Sequence, residues 1–303
     1  MKVSKAISSK PARTGAPPRE TDSSSRTDER FHLSGPSLTL DPRIHGYRKD
    51  IADIGLAGQI FAPHYARPLI RSCGARPAPV RATPAADGPA VSELLPGEEF
   101  AVLEYAGGSA WGYCRADHIV GYVEAIALAD PIEPTHIVCE KAAPVAAGGE
   151  ITSPITGSLP MGSRLNGQVN GACLSTEYGC VALSHLRPIA DHEDDPVMVA
   201  ERLIGAPWLD GGRTAHGVDA AGLIQLSLTL CGLPAPHLLD QLAALGEKLP
   251  AGARARHGDL ALFEDGAGLM VDDLLMIHAS RAAGKVTVEP AALYVVERRR
   301  LPL

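Results

Sequence analysis

The sequence predicts an α+β fold, with small all-β barrels first and then a domain in which helices precede an antiparallel sheet. Three observations predict it. Two stretches, each of about 60 residues and so of a size for small barrels, repeat one scheme of short strands bounded by Gly and Pro. After residue 195 the apolar pattern lengthens into helical runs. From residue 259 it returns to short strands, the order of an α+β unit. A chain of 303 residues suits two or three domains.

Composition narrows the function. Hydrophobic residues make up 45% and aromatics only 4% of the chain. The formal net charge of -7 opposes a nucleic-acid surface, which needs clustered Lys and Arg. The run Arg298 to Arg300 is too short to reverse this and reads as a solvated terminus. No stretch approaches the ~20 apolar residues of a membrane span. The N-terminus is basic but lacks the apolar core of a signal peptide, so the expected location is cytoplasmic. The six cysteines form no CxxC pair and read as buried free thiols, although Cys173 and Cys180 could face each other across a hairpin. Neither a metal nor another cofactor is expected.

Residues 1–35 are rich in Ser, Pro, Arg and Asp and are expected to be poorly ordered. Residues 36–75 form an arm, in which Asp50 to Ile60 fits one amphipathic helix or an ordered extension. The prolines between Phe61 and Leu69 favour extended chain. Residues 76–130 and 131–190 are the two repeats. Each has a short strand, a loop, a turn at Leu95-Pro96-Gly97 or Leu159-Pro160-Met161-Gly162, and strands joined by tight turns. Trp111 and Tyr113 are either a peptide-binding aromatic pair or, for Trp111, a packed barrel residue.

The last domain spans residues 191–303. Asp195 and Pro196 fit a helix start, with the helix running through Val197 to Ile204 and ending at Gly205. A second helix is expected from Asp219, its cap, to Gly232, its terminator. A third covers residues near 236–245. Strands follow at 259–263, 268–271, 274–279 and 285–289.

The two repeats resemble bacterial SH3-type (SH3b) domains. From about residue 195 onward the chain resembles the NlpC/P60 family, papain-like cysteine peptidases. The resemblance rests on the runs A-E-R-L-I-G-A-P-W-L-D-G-G-R ending at Arg213, G-V-D-A-A-G-L-I-Q ending at Gln225, H-G-D-L-A-L-F ending at Phe263, and Ile277-His278-Ala279. It implies peptidoglycan stem-peptide hydrolysis by a Cys nucleophile, a His base and a third polar residue. Carried over by position, the nucleophile falls on Ala220, the base on Gly266 and the third member on His278. A methyl group has no lone pair and glycine has no imidazole, so acyl transfer lacks both of its parts. Cys231 lies about 16 Å along the helix from Ala220 and cannot replace it. His216 and His257 restore no nucleophile, and Asp210, Asp219, Asp259 and Asp265 have no metal-ligand spacing.

Three readings follow. The first is an inactive homologue that binds a cell-wall peptide or a protein partner through Trp208, Asp210, Arg213, Asp219 and Ala221, with Trp111 and Tyr113 on the first barrel. The second is an active γ-D-glutamyl-diamino-acid peptidase whose cysteine at position 220 was replaced. The third is a structural or dimerising protein with a filled cleft. A replaced cysteine explains Ala220 but not Gly266 or Asp210. The first reading is therefore preferred.

Overall fold

A computed structural model of the chain describes residues 39–250 and 252–302. These fall within one compact unit, Leu38–Leu303. The expected disorder of residues 1–35 lies outside the described residues.

The stretch from Asp50 to Ile60 takes the ordered-extension alternative. It holds a short strand, Ile51–Asp53, and a single 3₁₀ turn, Ile54–Leu56. Two glycines, at 55 and 58, work against a longer helix. The strand pairs in parallel with His64–Ala66.

The first β unit is a curled, seven-stranded antiparallel sheet. Its order is Ala90–Leu94, Ala78–Arg81, Val120–Glu124, Ser109–Cys114, Glu99–Ala106, Leu69–Cys73, Leu128–Ala129. Val80, Leu94, Phe100, Val102, Ile119 and Val123 fill its concave side. Residues 131–190 form a second small β unit of one three-stranded and one five-stranded antiparallel sheet. Its core includes Val138, Leu159, Leu165 and Leu174. Contrary to the free-thiol expectation, Cys173 and Cys180 are joined as a disulfide, their Cα atoms 5.8 Å apart. The hairpin aligns Ser175 with Cys180 and so brings the two cysteines within bridging distance.

The two proline–glycine turns pack against each other. The Arg164 amide donates to the Pro96 carbonyl at 2.8 Å. Gly97 has φ +77°, and a Cβ there would stand 2.1 Å from the Arg164 carbonyl oxygen. Only glycine fits both the backbone angle and the approach.

In the last unit, helix α1 spans Pro196–Glu201, with the Asp195 carboxylate accepting from the amides of Val197 and Met198. It ends three residues before the expected stop. The next three amides bond to carbonyls only three residues back, so the last turn tightens before Gly205 at φ +82°. Helix α2 spans Ala220–Leu230 between its Asp219 cap and Gly232 at φ +75°. Helix α3 is reduced to Leu239–Leu242, because Pro234 and Pro236 precede it and Leu238 offers no capping side chain.

Six antiparallel strands complete the unit in the order Glu247–Lys248, Glu297–Arg300, Leu260–Phe263, Gly266–Met270, Leu275–Ser280, Lys285–Pro290. The arginine run is thus a central strand and not a solvated terminus. Arg300 makes a two-pronged contact with buried Asp259, at 3.0 and 2.9 Å, while Arg299 reaches the carbonyls of Leu245 and Gly246. Planar guanidinium groups find acceptors on both sides, and their stems pack on the sheet. Helix α2 is buried on every side except at Thr229. It packs on the sheet and on α1, and Leu95 and Met161 of the two β units join the same apolar cluster.

Candidate functional site

The N-terminus of α2 opens onto a cleft of about 480 Å³. Ala220, at the predicted nucleophile position, lines it with Ala221, Asp219, Trp208 and Asp210. The Ala220 side chain is buried, 1% exposed, and is a methyl group. The Ala220 and Ala221 amides have no protein acceptor among the described residues, whereas Gly222 donates to Asp219 and Leu223 to the Asp219 carbonyl. The positive end of the helix dipole therefore meets the cleft.

Asp219 is tied in place rather than free. One oxygen accepts from Gly222 at 2.7 Å, the other from the Gly211 amide at 2.8 Å, and His237 Nε2 lies 3.1 Å from the first. Burial pushes its pKa up, but the His237 hydrogen bond and charge and the two amides outweigh this, leaving it below the ordinary carboxylate value. His237 Nδ1 in turn lies 3.0 Å from Ser92 Oγ. Ser92, His237 and Asp219 have the atom order of a hydrolytic triad, but Ser92 is fully buried and cannot meet a substrate. Sequence reading missed Ser92 and His237. They come from positions 145 residues apart, and no local pattern signals their meeting.

A second cavity, of about 520 Å³, lies on the other side of Trp208. His278, at the expected third position, lines it with Phe263 and Tyr294. Its Nε2 bonds Glu289 at 2.9 Å, while its Nδ1 is buried without a partner among the described residues. Gly266 is buried, and a Cβ there would stand 2.4 Å from Phe263 Cε2. The Phe263 ring occupies the space an imidazole at 266 needs, and it meets His278 edge-on at 5.5 Å. Trp208, Asp265 and Arg281 line both cavities. Trp208 Nε1 donates to Asp210, Arg281 pairs with Asp210, and the Arg281 guanidinium lies 5.1 Å over the indole. This bridge separates the two chambers and leaves both open.

The other expected site residues lie elsewhere. Arg213 does not line the cleft. It is 4% exposed and pairs with buried Glu98 of the first β unit at 2.7 and 3.0 Å. Burial opposes the Glu98 charge, but Arg213 outweighs it and holds the carboxyl below its ordinary range. Trp111 is 3% exposed beneath the Arg48 guanidinium, 4.2 Å from the ring. Tyr113 donates to Asp53 at 2.7 Å. The arm therefore covers both. Of the residues weighed as substitutes, Cys231 sits at the far end of α2, its thiol pushed up to about 12 by burial. His257 bridges Asp195 and the Val271 carbonyl, and His216 is exposed outside the cleft. No cluster with metal-binding composition occurs among the described residues.

Comparison with known proteins agrees with this architecture. The family described as the bacterial dipeptidyl-peptidase SH3 domain matches residues 80–128. A Mycobacterium bovis protein described as a probable endopeptidase is 32% identical over 97 residues, 31% of this chain and 25% of that protein. The peptidoglycan endopeptidase RipB of Mycobacterium tuberculosis is 34% identical over 86 residues, 27% of this chain and 35% of RipB. The matches thus span about a quarter to a third of those relatives. A solved NlpC/P60 family protein from Bacillus cereus covers 77% of this chain and 99% of its own, with a TM-score of 0.66 and 14% identity. The chain holds an NlpC/P60-like papain fold with an SH3-type domain nearby, and a segment of it is similar to proteins described as endopeptidases. No helix among the described residues is long and apolar enough to cross a membrane.

Proposed function

We infer that this chain is a non-hydrolytic NlpC/P60-type protein that binds a peptidoglycan-derived peptide in its former catalytic cleft. The observation that carries the reading is the open, charged cleft at the start of α2, with a methyl group at 220 and a phenyl ring over position 266. The α2 amides suit a carboxylate or carbonyl of the peptide. Arg281 and Arg43 on the walls suit further carboxylates, and Asp265 suits an amine. The relatives named as endopeptidases supply the substrate class. An open cleft disfavours the structural reading, in which Trp208 or the arm would fill it. The replaced-nucleophile reading leaves Gly266 and the Phe263 ring unexplained.

The test is calorimetric titration of the purified chain with the stem tripeptide L-Ala-γ-D-Glu-diaminopimelate, beside a muropeptide cleavage assay. Saturable binding that Arg281→Gln weakens, with no cleavage, is the expected result. Turnover abolished by His278→Ala sinks the inactive reading.

A further inference from the structure

The cavity beyond Trp208, of about 520 Å³, has no part in the reading of the α2 cleft, since neither Asp219 nor Ala220 lines it. Its volume is within the range of small-molecule sites. The chain has only four Phe, seven Tyr and two Trp, yet three of these rings, Trp208, Phe263 and Tyr294, gather on its walls. Ala282 and Leu293, both exposed, add apolar surface.

The rings are reachable, and two of them lack a cation. Tyr294 is 36% exposed, and Phe263 and Trp208 are half-buried. The Phe263 and Tyr294 centroids are 5.7 Å apart, with planes tilted by 42°. A cation resting above their midpoint therefore lies within the ~6 Å reach of both rings. Elsewhere the chain supplies such a cation itself, Arg48 over Trp111 at 4.2 Å and Arg281 over Trp208 at 5.1 Å. Among the described residues no Lys or Arg stands over Phe263 or Tyr294.

Charge around the cavity is unbalanced. Arg281 on its wall is paired with Asp210, and His278 with Glu289. Glu264 and Asp265 also line it, on the exposed turn between strands Leu260–Phe263 and Gly266–Met270. Neither has an ion pair among the described residues, so two accessible carboxylates are left without a counter-charge.

The acceptors narrow the kind of cation. Ser280 Oγ is buried and already accepts from the Ala283 amide at 3.1 Å. The two turn carboxylates are solvated. Ring faces and apolar side chains suit N-methyl groups better than N–H groups, which lose hydrogen bonds to water on entering.

We propose that this cavity is a binding site for a small N-methylated ammonium cation of the choline type. The N-methyl groups lie on the Phe263 and Tyr294 rings, and Glu264 and Asp265 supply the counter-charge.

The experiment is a proton NMR titration of choline with the full chain, beside ethanolamine and the neutral isostere 3,3-dimethylbutan-1-ol. Contact with ring faces is expected to move the choline N-methyl signal upfield and to saturate. The neutral alcohol is expected to bind about tenfold more weakly, and ethanolamine also more weakly than choline. Tyr294→Leu is expected to weaken choline about fivefold, the scale of one cation–π contact, while Tyr294→Phe keeps the ring and the affinity. Glu264→Gln with Asp265→Asn, on an exposed turn that tolerates both, is expected to weaken choline and to reduce its salt dependence. A wild-type titration without a saturable shift overturns the proposal. So does a neutral alcohol that binds as tightly as choline, or choline affinity unchanged by Tyr294→Leu and by the turn variant. Ethanolamine binding as tightly as choline overturns the assignment to an N-methylated cation.

Discussion

Arg213 shows what a single residue decides in this molecule. Sequence reading placed it in the cleft, yet its guanidinium turns away to meet Glu98 on another unit. Removing one member of such a pair leaves the other charge buried and unmatched. Arg213→Met is therefore expected to cost about 3–5 kcal/mol in urea unfolding, and the double variant with Glu98→Met to recover most of it. An additive double variant would refute the pairing argument. His257 carries a different dependence. Its hydrogen bond to the Val271 carbonyl, and then its contact with Asp195, raise its pKa in the folded chain. A raised native pKa gives stability that is full below the unfolded value of about 6.5 and is lost as pH rises through the native one. The urea midpoint should fall across that window, and His257→Gln should flatten the fall. The ring is half exposed, so the change is small.

At the scale of elements, the strand Gly266–Met270 and its neighbour Leu260–Phe263 decide whether the proposed hydrolytic chemistry can be installed. Phe263 pairs directly with Gly266 across the hairpin, and its ring takes the volume that a side chain at 266 needs. Ala220→Cys with Gly266→His is therefore expected to show no muropeptide cleavage. Adding Phe263→Ala makes room for the ring, and cleavage is expected only in that triple variant. Turnover in the double variant would mean that Phe263 is no obstacle. The hairpin that joins Cys173 to Cys180 has its own test. Thiol titration of the denatured chain is expected to count four thiols, those of Cys73, Cys114, Cys139 and Cys231, and six after reduction.

Across the whole molecule, the arm and the first β unit act together. Arg48 reaches Glu104 and the Tyr122 hydroxyl while lying over Trp111, and the Arg43 carbonyl accepts from Val120. The aromatic face that sequence reading offered to a peptide is thereby held by the chain's own residues. Arg48→Ala, made with Trp208→Phe so that Trp111 alone reports, is expected to shift tryptophan emission to the red. An unchanged spectrum would mean that the arm does not shield the indole. Helix α1, the C-terminal sheet and both β units bury α2 on every side except at Thr229, which explains why its sequence is apolar nearly all round and carries little sign of which face is which.

The sequence by itself determined the elements whose causes are local. Asp195 before Pro196, and Asp219 before an apolar run that ends at Gly232, carry their capping chemistry within a few residues, so both helix starts were legible. The four strands from Leu260 to Pro290 were legible through short apolar runs between turns. Ala220 and Gly266 could be read because a missing functional atom is visible in the letter itself. Tertiary structure alone decided what depends on meetings across the chain. It set Ser92 and His237 behind Asp219, Arg213 against Glu98, Arg48 over Trp111 and the arginine strand against Asp259. It also put Phe263 into the space beside Gly266 and left the cleft open at Ala220. Local spacing encodes caps and alternation, whereas a long-range contact depends on packing that no single stretch of sequence contains.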